Sequence, residues 1–247
     1  MANPDSPNAR QGIDLVAAIV DLRDNYKSIA SQIKRFRDAH SAHTDLSSAL
    51  DMLLAVKPAA GQAEHGCNWA PHTVPALIYS AVMLYARATK STSDHRSTLD
   101  LRKHFNDDQR AVHQRLCDLR DDAFAHFGPG LVDNGNAWNE ERVLLPVDRP
   151  EEMGLLALSK RVSYFPPFVQ KAILHVQRAL LLTQREMQRR EERLIEAIEN
   201  GLEDDQFMRI MAKHLVDLDV VLKGSAAPMV LDLPSRVGVH TGLVWDS

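Results

Sequence analysis

The chain has 247 residues and a formal net charge of −4, with 45% hydrophobic and 25% charged residues. These values are typical of soluble globular proteins and exclude bulk disorder. A chain of this length can also bury a substantial core without disulfides or metal. The slightly acidic balance excludes a general attraction to nucleic acid, so any RNA contact would require a local basic cleft.

The sequence carries no sign of export or membrane insertion. Its only cysteines, Cys67 and Cys117, provide no disulfide framework and suit a reducing compartment. The N-terminal segment MANPDSPNARQ lacks the basic region and apolar core of a signal peptide. The most apolar stretch, residues 74–86, is shorter than the ~20 residues that a transmembrane helix needs. We therefore expect a soluble, cytoplasmic protein with no membrane partner.

Hydrophobic periodicity predicts helices in the first half of the chain. Apolar residues recur in steps of three and four over residues 15–36, which predicts a long amphipathic helix. A shorter helix is expected over residues 44–56, with Thr44 as its N-cap and Lys57-Pro58 as its stop. Residues 57–73 then form a predicted loop. Residues 74–89 are apolar around most of the helix circumference, which predicts a buried helix.

A further helix is predicted to begin near residues 106–108 and to end at Gly128-Pro129-Gly130. Arg120 and His126 lie near its C-terminus on two neighbouring stripes. In α-helical geometry, six residues correspond to a turn of about −120° and a rise of about 9 Å. The two side chains should therefore flank a shallow corner. The helix dipole at this end favours a protonated histidine, which suits capping or acid–base chemistry.

The second half is predicted to begin with strands and continue with helices. Alternating residues suggest a small hairpin over residues 142–147 and 155–165. The longest helix follows from Pro166 to Gly201, and its densely charged second half is typical of a solvated face rather than a nucleic-acid surface. Another helix is expected from Asp204 or Asp205 to residue 222. The tail over residues 225–247 suggests an extended segment that docks on another surface.

Together these elements predict an all-α fold, a helical bundle with a small hairpin-like insertion. We expect a helical core over residues 1–130, the insertion over residues 131–165, and long helices with an extended tail over residues 166–247. Common nucleotide-binding, serine-hydrolase and metalloprotease motifs are absent from the sequence.

Two groups of residues could in principle bind a metal. His40 and His43 lie three residues apart on a predicted helix, and His65, Cys67 and His72 lie in a predicted loop. The first pair lacks an evident third ligand, and the second group lacks a CxxC or HxxxH pair. An ordinary helix end and an ordinary loop are therefore the favoured interpretations.

The segment LCDLRDDAFAHF resembles the signature of the HEPN superfamily, which comprises all-α domains. That signature is an arginine, usually a polar residue, three to five further residues and a histidine. Here these positions correspond to Arg120, Asp121 and His126. The residues LRDDAFAHF are especially similar to the motif of the abortive-infection and toxin-like branch. The resemblance in helix order covers roughly residues 10–130. The C-terminal half has no counterpart in it.

The resemblance implies a metal-independent endoribonuclease that requires no cofactor and works as a homodimer, with two arginine–histidine pairs in one cleft. His126 would act as general base or acid, and Arg120 would bind the scissile phosphate through its planar guanidinium. Asp121 would orient one of these side chains or cap the helix. The 2′-OH as internal nucleophile would make RNA the substrate. A toxin of this kind would also be controlled by an antitoxin protein.

A different class of function fits the same residues. A helix-terminal histidine beside an arginine paired with aspartate is also common at structural helix ends. The chain could then be a non-catalytic helical interaction protein that dimerises through its long heptad-bearing helices. A metal-dependent enzyme using the histidines and cysteine above is the third alternative.

Overall fold

The computed structural model describes residues 11–64, 70–90, 96–124, 132–133, 136–145, 155–161 and 165–221. These residues belong to two compact units: the described parts of Met1–Ser41 and Gln184–Ser247 form unit 1, and those of Ala42–Thr183 form unit 2. The helices are α1 (Leu15–Leu22), α2 (Lys27–Glu64), α3 (Ala70–Thr89), α4 (Asp107–Asp118), α5 (Pro166–Gly201), α6 (Asp205–Ala212) and α7 (Leu218–Val221). The strands are β1 (Gln11–Ile13), β2 (Val132–Asp133), β3 (Asn136–Ala137), β4 (Asn139–Leu144), β5 (Leu156–Arg161) and β6 (Leu215–Asp217).

The predicted predominance of helices is confirmed, and the strands form only small two-stranded sheets. The predicted hairpin is present as β4 and β5, which pair antiparallel from Asn139↔Arg161 to Leu144↔Leu156. The bounds of both strands differ by a few residues from the prediction. The predicted proline start and glycine end of α5 match its observed bounds.

The first two helices are divided differently from the prediction. A turn at residues 23–26 separates α1 from α2, and α2 then runs without interruption through Thr44. The predicted N-cap at Thr44 is therefore wrong. The physical reason is a row of buried residues spaced alternately by three and four positions. Half of this row is alanine, which is only weakly hydrophobic, so the helical periodicity is hard to recognise in the sequence. This row consists of Ala39, Ala42, Leu46, Ala49, Leu53 and Val56.

Pro58 lies inside α2 and does not end it, contrary to the prediction. A proline in a helix interior removes one N–H donor and frees the carbonyl four residues earlier. Pro58 and Leu54 both lie on the exposed side of α2, where water can donate to the freed carbonyl of Leu54. The helix therefore tolerates the proline at this position.

The region after α6 also differs from the prediction. One helix was expected to reach residue 222, but α6 ends at Ala212 and β6 follows it. Strand β6 pairs antiparallel with β1, which comes from the beginning of the chain. Because this partner lies about two hundred residues away in sequence, local periodicity carries no signal for the pairing.

Unit 1 has a core formed by α1, the start of α2, the end of α5, and α6. Its buried residues are Ala18, Leu22, Ile29, Ala30, Ile33, Leu194, Phe207, Ile210 and Met211. The Tyr26 hydroxyl donates a 2.7 Å hydrogen bond to Asp204, and Asp204 accepts backbone N–H groups at the start of α6. The side chain that caps α6 therefore also connects that helix to the start of α2.

Unit 2 contains a buried carboxylate, Asp45, that pairs with two arginines. The Asp45 carboxylate on α2 accepts hydrogen bonds from Arg87 at the end of α3, one of them 2.9 Å long, and from Arg96 at 2.7 Å. The side chain of Asp45 is 7% exposed. A buried carboxylate is costly without such partners, so the two guanidinium groups connect α2, α3 and the segment after α3.

Gly201, the last residue of α5, is needed for close packing. A Cβ atom added there would lie 2.9 Å from the ring of Phe207 in the core of unit 1. We expect Gly201→Ala to lower the free energy of unfolding by about 1–3 kcal/mol, because the ring must shift in a packed core. Urea unfolding monitored by circular dichroism measures the change.

Gly61 provides the matched control, since it lies inside α2 with open space around the added Cβ. Gly61→Ala should raise the free energy of unfolding by about 0.5–1 kcal/mol through helix propensity alone. Equal effects of the two substitutions would contradict the packing argument.

Candidate functional site

The first part of the predicted motif lies on a π-helical segment. Asn106 caps α4, within the range where the sequence predicted the helix to begin, and it forms a reciprocal capping box with Gln109. The α-helix ends at Asp118, and Leu119–Phe124 continues it with π geometry. Single π-helical turns inside helices are frequently found at functional sites. Because a π-helix contains more residues per turn, the turn and rise calculated from α-helical geometry do not apply from Arg120 to Phe124.

The structure places Arg120 and Asp121 in one ion-pair network. The Arg120 guanidinium donates to Asp121 Oδ1 at 2.7 Å, and Lys90 at the end of α3 donates to Asp121 Oδ2. Residue 126 lies outside the described residues, so the predicted pairing of Arg120 with His126 remains a prediction. Sequence reasoning missed Lys90, because only the packing of α3 against the π-helical segment brings it to Asp121.

The charges in this network are stable at neutral pH. The hydrogen bond from Lys90, followed by that from Arg120, lowers the pKa of Asp121 below its ordinary value. The hydrogen bond to Asp121 likewise raises the pKa of Lys90. Two cations thus share the Asp121 carboxylate. Asp121 is suited to orienting the cations and unsuited to donating a proton.

A cleft of about 300 Å³ lies beside Lys90. Its polar lining includes two cationic side chains and one carboxylate, together with hydroxyl and amide groups: Lys90, Arg102, Asp100, Thr89, Thr98 and Gln114. Cations and hydroxyl donors around an open cleft are the chemistry that binds phosphate groups.

One buried polar cluster in unit 2 was not predicted from the sequence. The Tyr85 hydroxyl on α3 lies 2.6 Å from His113 Nδ1 on α4 and 2.7 Å from His175 Nε2 on α5. All three side chains are buried. The only sequence signal was that each polar residue occupies a position on the buried face of its helix. One hydroxyl therefore connects three helices.

The hydroxyl can donate to only one of these rings, which constrains their tautomers. If Tyr85 donates to His113, then His175 donates from Nε2 and leaves Nδ1 as a bare acceptor. If Tyr85 instead donates to His175 Nε2, then the N–H group of His175 is on Nδ1. Within the described residues His175 Nδ1 has no hydrogen-bond partner. Because unpaired buried N–H groups are rarer than unpaired acceptors, the first arrangement is favoured.

Burial keeps both histidines neutral. It lowers the pKa of His175 to about 4, with a further contribution from His113. The pKa of His113 is also lowered, by burial first and then by the charges of Arg102 and Lys90. Burial raises the pKa of the Cys117 thiol, 3.9 Å from His113 Nε2, to about 11. The thiol is therefore protonated at neutral pH and a poor nucleophile.

Members of this cluster line two clefts. His113 and Cys117 line the cleft beside Lys90. His175 lines a second cleft, of about 530 Å³, between α4 and α5. The rest of its lining is Asp108, Gln109, Ala111, Val112, Lys171 and Leu174.

The residues considered as metal ligands are dispersed. His40 and His43 lie on α2 and His72 is exposed on α3, whereas residues 65 and 67 lie outside the described residues. Among the residues that the structure describes, no group of three or more histidine, cysteine, aspartate or glutamate side chains could hold a metal ion. No described helix is both long and apolar enough to cross a membrane.

Comparison with known proteins yields no match: no family model, no curated protein and no solved structure is similar to this chain. Its function must therefore be inferred from its own residues.

The Tyr85 hydroxyl provides a first test of the buried cluster. Tyr85→Phe should lower the free energy of unfolding by about 1–3 kcal/mol, because it leaves a ring nitrogen of each histidine without a partner in the core. Tyr26→Phe is the control, because the hydrogen bond from its hydroxyl to Asp204 is solvent-exposed and its loss should cost less than the loss of the buried Tyr85 hydroxyl. Denaturant unfolding measures both variants. Equal effects would show that the hydroxyl between the histidines contributes nothing specific.

The neutral histidines also predict a pH dependence. An unfolded histidine binds a proton below about pH 6.5, whereas folded His175 binds one only below about 4. The unfolded state therefore binds more protons between these values, and stability falls as the pH decreases from 6.5 to 4, by about 3 kcal/mol for this group. In His175→Gln, which retains an acceptor for Tyr85, the pH dependence of urea unfolding over this range should be smaller. An unchanged slope would contradict the assignment.

Proposed function

We propose that the protein is a metal-independent endoribonuclease of toxin or phage-defence type. The observation that carries this proposal is an ion-pair network beside a cleft with a further cation and hydroxyl side chains. In this network Arg120 and Asp121 of the π-helical segment meet Lys90 from the end of α3. The resemblance of the same segment to the HEPN signature supports it. RNA offers the chain of phosphates that such a site would bind.

In the proposed reaction, Arg120 and Lys90 bind the scissile phosphate. Arg120 contributes two parallel donors from its planar fork, and Lys90 contributes a compact point charge. The side chain of Arg120 is 35% exposed and that of Lys90 is 42% exposed, so both are accessible to a ligand. Asp121 holds the two cations in position. Their charge would stabilise the additional negative charge on the phosphate oxygens in the transition state.

His126 supplies the proton transfer in this proposal. One histidine removes the proton from the ribose 2′-OH, and the 2′-oxygen attacks phosphorus. The bond from phosphorus to the 5′-oxygen breaks, and a second histidine protonates that leaving oxygen. The products are a 2′,3′-cyclic phosphate and a 5′-hydroxyl. Because both roles are needed in one step, the proposal includes a homodimer that combines two copies of the motif, with an antitoxin as a further protein partner.

The test uses single-stranded and structured RNA with the purified full chain in EDTA. The wild-type protein should cleave RNA and leave 2′,3′-cyclic phosphate ends, and a substrate with 2′-deoxyribose at the cleaved positions should be resistant. Arg120→Ala and His126→Ala should each lower the cleavage rate by about 10²–10⁴-fold while circular dichroism shows intact folding.

Arg110→Ala is the matched control, because Arg110 is an exposed arginine in the first turn of the same helix and pairs with Asp107. Its cleavage rate should equal that of the wild type. Activity that disappears only on chelation would instead support the metal-dependent alternative. No cleavage of any RNA would contradict the nuclease proposal.

The second candidate is a non-catalytic interaction protein in which Arg120 has only a structural role. The ion pair between the Arg120 guanidinium and Asp121 favours it, since that pair can stabilise the end of α4 without any ligand. The exposed aliphatic side chains of the β4–β5 hairpin also suit a binding surface; the most exposed are Val143 and Leu155. Stability that falls in Arg120→Ala without any detectable cleavage by the wild-type chain would select this candidate.

A further inference from the structure

The cleft between α4 and α5 contains two opposite charges that do not pair with each other. Asp108 on α4 and Lys171 on α5 both line it, and both residues are exposed. Within the part of the chain that the structure describes, neither side chain forms a salt bridge. The cleft therefore offers one partner for a positive group and another for a negative group of the same ligand.

The lining of this cleft has the same spacing on both helices. Residues 108, 111 and 112 line it from α4, and residues 171, 174 and 175 line it from α5. Positions i, i+3 and i+4 share one side of an α-helix, so each helix presents one charged and two further side chains. Three of these four further side chains are aliphatic, and the fourth is an imidazole: Ala111, Val112, Leu174 and His175.

His175 provides a hydrogen-bond acceptor in this lining. The residue is 3% exposed, and its Nε2 atom lies 2.7 Å from the Tyr85 hydroxyl. Its Nδ1 atom is buried and has no hydrogen-bond partner among the described residues. Such an atom is uncommon in native proteins and requires an explanation. In the favoured tautomer Nδ1 is a bare acceptor, so the group that complements it is a hydrogen-bond donor.

These features together indicate the chemistry of a ligand. An ammonium group provides both the donor for His175 Nδ1 and the positive charge for Asp108. A carboxylate complements Lys171, and an aliphatic group complements Val112 and Leu174. We propose that the cleft between α4 and α5 binds a free aliphatic amino acid. Its volume of about 530 Å³ lies within the range of small-molecule sites, roughly 300–1,000 Å³.

Every residue of this site belongs to unit 2. The inference goes beyond the nuclease proposal and does not depend on it, because the site uses neither Arg120 nor Lys90.

NMR titration of the ¹⁵N-labelled full chain at neutral pH tests the ligand. L-Leucine should bind with a dissociation constant of about 1 mM or below. Two probes each lack one of its charged groups: 3-methylbutylamine has no carboxylate, and 4-methylpentanoate has no ammonium group. Each should bind at least about tenfold more weakly, because one charged contact is lost. Equal binding of leucine and either probe would contradict the proposed recognition.

Variants at the two exposed charges assign each group of the ligand to its residue. Asp108→Asn should weaken leucine binding by about tenfold and leave binding of 4-methylpentanoate unchanged, since that probe has no ammonium group. Lys171→Gln should weaken leucine binding by a similar factor and leave binding of 3-methylbutylamine unchanged. Equal losses for leucine and the probe would contradict the assignment of that residue.

Asp107→Asn is the matched control. Asp107 lies in the same first turn of α4, pairs with Arg110 and does not line the cleft. Its variant should bind leucine like the wild type. A loss equal to that of Asp108→Asn would show that the effect is not specific to the cleft.

The imidazole of His175 reports where the ligand binds. In a chain labelled with ¹⁵N-histidine, leucine should shift the Nδ1 resonance of His175, because the ammonium group then donates to that atom. His175→Gln identifies the resonance by its loss. Leucine binding without this shift would overturn the proposed site. A wild-type chain that binds none of leucine, isoleucine, valine and methionine at about 10 mM would overturn the proposal as a whole. These measurements report binding alone, so their outcome is separable from the presence or loss of RNA cleavage.

Discussion

The arrangement of unit 2 depends on one buried hydroxyl. Tyr85 lies on α3 and forms hydrogen bonds with His113 on α4 and His175 on α5. In an apolar interior, a polar group without a partner is costly, so these three groups have to stay within hydrogen-bonding distance of each other. This constraint defines the positions of three helices relative to one another. His113 also lines the cleft beside Lys90, and His175 lines the second cleft.

The chemistry of the candidate site differs from that of the buried cluster because their solvent exposure differs. His113 and His175 are buried and held neutral, which suits a structural hydrogen-bond network. Arg120 and Lys90 keep their charges near the surface and share Asp121. Exposed cations held by a common carboxylate can bind an anion with little rearrangement, since their orientation is already restricted. The proposed nuclease function uses this second group and leaves the histidine pair to stability.

Several features could be predicted from local sequence because their causes are local. Asn106 and Gln109 form a capping box within four residues, and the Pro166 start and Gly201 end of α5 follow from backbone preferences. The sequence motif also identified Arg120 and Asp121, which do form an ion pair. Local rules failed at Thr44 and Pro58, where each residue resembled a helix boundary. The long buried row of α2, rich in alanine, outweighed these local signals.

The sequence by itself determined the predominance of helices, the start of α4, both ends of α5, and the composition of the arginine motif. Only the tertiary structure decided that Lys90 joins Asp121, that Tyr85 lies between two histidines, and that β6 pairs with β1. These contacts connect residues far apart in the chain, from about thirty positions to about two hundred. Periodicity and capping act over one or two helical turns, so they identify the buried face of a helix without identifying the residue that meets it. Which distant residue a side chain contacts is decided by packing and by the requirement that buried polar groups form hydrogen bonds.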